Sequence, residues 1–213
     1  MTEGLRERKK RQTRQHISDI ATRLFVERGF VTVTIAEVAD AADVSVNTVY
    51  NYFPAKEDLF LDRSKGIVGR LSRYVRARDE GESAAAAVLR ELREEVEAVS
   101  PKVGLMEGYG DFLRVIHEAD ALKARLWLVQ QEALEHLGQA LREETDAPPG
   151  DPLPTLVAGQ ISWVQSTLMA MIGREMVAGR APADVSREAL ALLDDMEDLL
   201  SEKVLNYAVR APE

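Results

Sequence analysis

Residues 34–56, TIAEVADAADVSVNTVYNYFPAK, constrain this chain more than any other stretch. Two short helices start inside it, each at its own signal. Thr34 is a cap, and Glu37 three residues on completes a capping box. Val33 and Val38 occupy the two positions of a hydrophobic staple around that cap. Ser45 repeats the device, with Val44 and Val49 as its staple. Ala41 to Val44 leave room for a turn of about three or four residues. Pro54 ends the second helix, because a proline pushes the residue before it out of the helical region. Helix, tight turn and helix at this spacing make a helix-turn-helix, which points to DNA.

A helix precedes this pair. Ile17, Ile20, Ala21, Leu24 and Phe25 form one apolar stripe, which predicts a helix over 9–28 with Gly29 as its stop and residues 1–8 disordered. Residues 31–35 alternate like a strand, but no second strand-like run lies nearby to pair with it. A fourth helix is expected over 56–78. Further helices are expected over 83–99, 105–118, 119–145, 153–178 and 184–207. The helix over 105–118 is weakened by Gly108 and Gly110, each costing about 1 kcal/mol against alanine. The clearest loop is 147–152, with three prolines and a glycine. The fold class is therefore all-α. An N-terminal three-helix head over residues 1–55 carries the helix-turn-helix, and a helical-bundle body occupies 56–213.

Charge supports that division. The chain has 213 residues and a net charge of −9, yet residues 1–56 carry +2 and the remainder −11. The densest cations are Arg6, Arg8, Lys9, Lys10, Arg11 and Arg14. Beside a helix-turn-helix they read as an arm that meets phosphates; alone they would read as a solvated terminus. The N-terminus is polar and basic, unlike a signal peptide, and no apolar run approaches the roughly 20 residues of a membrane span. Cytoplasm is the expected location.

Enzymatic chemistry finds no constellation here. Without cysteine there is no thiolate nucleophile and no sulfur-ligated metal. His16, His117 and His136 share no ligand spacing, and Gly104, Gly108 and Gly110 lack the lysine and preceding strand of a phosphate loop. No cofactor or metal is expected.

Within the reading helix, the N-terminal residues Val46, Asn47 and Thr48 face base edges. Asn47 can pair with adenine through two hydrogen bonds, and Val46 can pack on a thymine methyl. The stretch Ile17–Leu59 resembles the DNA-binding domain of the TetR family of transcriptional regulators. The resemblance rests on Ile17, Ala21, Leu24, Phe25, Gly29, Phe30, Thr34, Ile35, Val38, Ala39, Ala42, Val44, Ser45, Thr48, Tyr50, Tyr52, Phe53, Lys56, Glu57 and Leu59. Three positions depart from the family. Asp43 and Asn47 stand where glycine is usual or common, and Ala55 stands where a serine often caps the next helix. Asp tolerates the left-handed turn, and Glu57 and Asp58 offset the lost cap through the helix dipole.

The resemblance implies phosphate contacts at Thr34, Tyr50 and Lys56, with Asn51 and Tyr52 near the groove. It implies a body that binds a small effector and forms a homodimer. A set of large, adaptable side chains is the candidate effector lining: Met106, Tyr109, Phe112, Trp127, Trp163 and Met169, with His117 and Gln130 as polar contacts. The same residues could equally be plain core. The last two helices are apolar over wide arcs, and Leu156, Val164, Leu168, Leu193, Met196 and Leu200 are the candidate dimer interface. The expected function is a homodimeric repressor, released from a pseudo-palindromic DNA operator by a small apolar effector. Two rivals remain. One is an activator or ligand-independent regulator of the same fold. The other is a helical binding protein or enzyme with a vestigial head.

Overall fold

The computed structural model describes residues 4–62 and 65–212. Every regular element among them is helical. The chain divides into two compact units: residues 1–65 with 114–127, and residues 66–113 with 128–213.

The first unit contains α1 (Leu5–Arg28), α2 (Ile35–Ala41), α3 (Val46–Tyr52) and α4 (Lys56–Phe60). Helix α1 starts four residues before the expected Lys9. Leu5, Arg6, Glu7 and Arg8 are good helix formers, and Glu7 suits the positive end of the dipole. Of the residues expected to be disordered, 1–3 lie outside the described residues and 5–8 are helical. Gly29 stops α1 at φ 85°, its N–H returning to the Phe25 carbonyl. Both predicted caps form. Glu37 N–H donates to Thr34 Oγ1 at 3.2 Å, and Thr34 N–H donates to Glu37 Oε2 at 2.8 Å. Thr48 N–H donates to Ser45 Oγ at 3.0 Å. The turn between α2 and α3 places Asp43 at φ 54°, the left-handed conformation a glycine usually supplies. Ile17, Ala21, Phe25, Val33, Val38, Val49, Phe53 and Leu59 are buried, and Phe25 packs on Phe30 and Phe60 with centroids 5.1 and 5.8 Å away.

The expected fourth helix does not run through to 78. After α4 come α5 (Lys65–Val68) and α6 (Arg70–Arg76), with 63 and 64 outside the described residues. Gly69 explains the break between α5 and α6: it disfavours helix and is the N-cap of α6.

The second unit holds α6, α7 (Ala84–Glu97, capped by Ser83), a 3-10 turn at Pro101–Val103, α10 (Leu153–Val177), α11 (Pro182–Leu199) and α12 (Glu202–Leu205). Helices α8 (Tyr109–Glu118) and α9 (Asp120–Glu144) contribute residues to both units. Helix α8 starts later than 105 because Gly104 and Gly108 sit at φ 81° and 79°, where a helix cannot propagate. The last predicted helix breaks at Leu200, which is extended. The break lets Val204 bury beside α7, and the Tyr207 carbonyl accepts from Ala84 N–H at 3.2 Å.

Candidate nucleic-acid interface

Helix α3 is only two turns long. Its buried side is Val49, followed by Phe53. Val46, Asn47, Tyr50 and Asn51 are exposed, while Thr48 and Tyr52 are half-buried. Asn47 and Asn51 are therefore side chains that the packing of the head does not require. A groove of about 550 Å³ runs along this helix, lined by Arg6, Glu7, Lys9, Lys10 and Thr13 of α1 and by Thr48, Asn51 and Tyr52 of α3. Three cations and one carboxylate make it electropositive. Thr13 escaped the sequence reading, although it lies on the same helical face as Arg6, Lys9 and Lys10 by its spacing.

Not every expected contact points outward. The Thr34 hydroxyl donates to Glu37 Oε2 at 2.9 Å, so its proton is taken up beside the capping box. The Lys56 ammonium donates to the Phe30 carbonyl and lies 4.5 Å from the Phe30 ring centroid and 5.4 Å from that of Phe25. Burial holds its pKa below the usual lysine range. Lys56 thus ties α4 to the end of α1, keeping two N–H groups for any further partner. Arg14, read as part of the phosphate-meeting arm, is instead held inside the head. Its guanidinium donates to Asp62 and to the Tyr52 carbonyl and stacks over Phe53.

Glu37 carries the strongest electrostatic signature of the head. The Thr34 backbone N–H, then the Arg28 guanidinium, bring its pKa down to about 2. A depressed carboxylate contributes stability that is present above its ordinary pKa of 4.5 and lost as pH falls toward 2. Wild type should melt higher than Glu37→Gln at neutral pH, and the gap should close between those two values. A gap that persists at pH 2 in circular-dichroism melts would refute the assignment.

The sequence profile described as bacterial regulatory proteins, tetR family, matches residues 17–62. The chain carries the DNA-binding domain of the TetR family. The regulator AcrR of Shigella flexneri is 37% identical over 84 residues, which is 38% of either chain. LuxR of Vibrio harveyi is 37% identical over 62 residues, covering 29% of this chain and 30% of LuxR. The matches thus span about a third of these relatives' length. Solved structures extend the likeness in fold to the rest. NalD, the secondary repressor of the MexAB-OprM multidrug efflux pump in Pseudomonas aeruginosa, superposes with a TM-score of 0.60 at 22% identity, covering 90% of this chain and 98% of NalD. A SmeT–triclosan complex gives 0.55 at 18%, covering 91% and 94%. Head and helical body alike share the fold of NalD and SmeT.

In the body, the candidate effector residues do not all converge. Tyr109 and Phe112 stack with centroids 6.2 Å apart, and burial raises the Tyr109 pKa. Met169 is half-buried. Trp127 and Trp163, at 58% and 40% exposure, lie on outward arcs of α9 and α10, and Met106, His117 and Gln130 are exposed too. Large aromatics at helical spacing do not by themselves declare which way they face. The two glycines read as a flexible weakness also differ from expectation. Gly108 lies ahead of α8 in open space, whereas a Cβ at Gly110 would overlap the Met176 carbonyl of α10. Gly110 is a close-packing position rather than a soft one.

The candidate dimer residues need a similar correction. Val164, Leu168, Leu193, Met196 and Leu200 are buried in the body's own core. Their apolar character is used within one chain. Leu156 alone of the six is exposed, at 62%. Among the described residues no helix is long and apolar enough to cross a membrane.

Proposed function

We propose that this chain is a homodimeric, sequence-specific DNA-binding repressor, released from a pseudo-palindromic operator by a small apolar effector. Residues 1–55 read DNA, and 56–213 form the dimerisation and effector body. One observation carries the reading: α3 presents Val46, Asn47, Tyr50 and Asn51 outward beside a basic groove, on a helix whose remaining side holds it to the head. Two-fold symmetry in the protein requires two-fold symmetry in its site. The likeness in fold to the repressor NalD and to SmeT, captured with triclosan, supports repression and release by a small molecule. Tyr109, Phe112 and Met169 are the favoured lining. A ligand that fits the body only when the heads are wrongly spaced weakens operator binding by linkage.

The test is a base-substitution scan across the sequence that wild-type protein selects from random duplexes. Asn47→Ala should lose about 1–3 kcal/mol of discrimination at one base pair per half-site. Affinity for scrambled DNA should hold. Identical preferences at every position in both proteins would show that Asn47 reads nothing.

A further inference from the structure

The reading helix is too short to fix its own angle. Helix α3 spans seven residues, Val46–Tyr52, and only Val49 within it is buried. A two-turn helix with one apolar anchor can rock about that anchor, so other contacts must set its tilt. Its C-terminal end also leaves carbonyls that no helical N–H can reach.

Arg14 supplies what is missing. It lies on α1, and its Nη1 donates to the Tyr52 carbonyl at 2.8 Å. Its Nε and Nη2 donate to Asp62 Oδ1, just beyond α4, at 2.9 and 2.6 Å. The guanidinium carbon lies 4.4 Å from the Phe53 ring centroid, stacked on the residue that terminates α3. The Asp62 side chain is 10% exposed and that of Arg14 27%, so the fork is shielded from solvent. One planar cation therefore joins α1, the end of α3 and the end of α4. Its charge also complements the negative C-terminal end of α3. Ser18 Oγ to the Leu59 carbonyl, at 3.3 Å, ties α1 to α4 beside it.

We propose that Arg14 is a positioning residue for sequence readout: it sets the angle of α3 in the groove through Tyr52 and Asp62 and touches no DNA itself. The proposal rests on the reading of the chain as a sequence-specific DNA binder. It sets Arg14 apart from Arg6, Lys9 and Lys10, whose side chains line the open groove. A lysine cannot replace it, because a point charge cannot hold a carboxylate and a carbonyl in one plane.

The experiment measures affinity for the duplex that wild-type protein enriches from a random library, and for a scrambled duplex, across a salt series. Arg14→Lys, Arg14→Met and Asp62→Asn are compared with wild type. Each variant should lower the ratio of specific to scrambled affinity by about 5- to 150-fold, the equivalent of about one misplaced base contact. Scrambled-duplex affinity and its salt slope should stay as in wild type. A phosphate contact would behave otherwise. Arg14→Met would then reduce the slope by about one unit, Arg14→Lys would restore it, and Asp62→Asn would tighten scrambled binding by freeing a cation. Either that pattern or an unchanged ratio in all three variants overturns the proposal. If circular dichroism finds Arg14→Met unfolded, Asp62→Asn, which keeps size and shape, decides by the sign of its effect. Wild-type protein that enriches no sequence would sink the function reading itself, a failure visible before any variant is made.

Discussion

Arg70→Ala is expected to destabilise this protein by about 3–5 kcal/mol, because it strands a carboxylate in the core of the body. Arg70 and Glu95 are each only 6% exposed. Arg70 Nη1 donates to the Lys102 carbonyl at 2.6 Å and lies 3.8 Å from Glu95 Oε2. With its amide oxygen turned toward Arg70, Gln165 of α10 accepts from Nε at 3.2 Å and Nη2 at 2.5 Å. Tyr74 donates to Glu95 Oε1 at 2.5 Å, and burial, then this bond, raises its pKa well above the usual tyrosine range. Glu95 Oε2 accepts no hydrogen bond among the described residues, so Arg70 is the buried charge that compensates it. Lys102 also approaches, 3.4 Å from Oε1, but its side chain is largely solvated and screened. Removing Arg70 alone should lower the melting temperature by about 6–20 °C for a chain of this size. Arg70→Met with Glu95→Leu should recover most of the loss, because an apolar pair of similar volume needs no compensation. Urea unfolding of the single and double variants settles it. A loss below about 1 kcal/mol for Arg70→Ala would mean that Arg70 does not compensate the Glu95 carboxylate.

That cluster was not legible in the sequence, and the reason is distance along the chain. The caps at Thr34 and Ser45, the staples and the Asp43 turn were all legible because each joins residues three to five apart. Local backbone chemistry fixes such pairs. Arg14 meets Tyr52 and Asp62 from 38 and 48 residues away, and Lys56 meets Phe30 from 26. Nothing in the run around Arg14 distinguishes it from its solvated neighbours, so it reads as one more cation of the arm. Glu95 likewise sits in a polar stretch that pattern alone assigns to a wet surface, while Arg70 and Gln165 are single polar residues in otherwise apolar runs with nothing local to pair them. The break between α5 and α6 was within reach, since Gly69 marks it. The wide apolar arcs of α10 and α11 were read correctly as apolar. Periodicity did not say how much of each arc the chain buries against itself.

That last point redirects the search for the dimer seam, and it yields the largest expected effect. Leu193 is fully buried, so Leu193→Glu should unfold the subunit rather than dissociate a dimer. The exposed face of α10 is a different set: Leu156, Gln160, Trp163, Ser166 and Ala170, recurring every three or four residues. Two large apolar side chains among small ones suit a close helix crossing, with Trp163 as the anchor. The outward face of α11 carries Asp194, Asp195 and Asp198, which makes it the poorer seam against its own copy. Trp163→Glu should therefore leave the subunit folded, because the site faces solvent in the single chain. It should place like charges together across the two-fold axis and yield a monomer by light scattering. A monomer engages one half-site at a time. Operator affinity should then fall by about 10²- to 10⁴-fold, while a single half-site duplex binds as before. A Trp163→Glu protein that stays dimeric would remove the outer face of α10 from the interface. A monomer that kept full operator affinity would remove the need for a dimer.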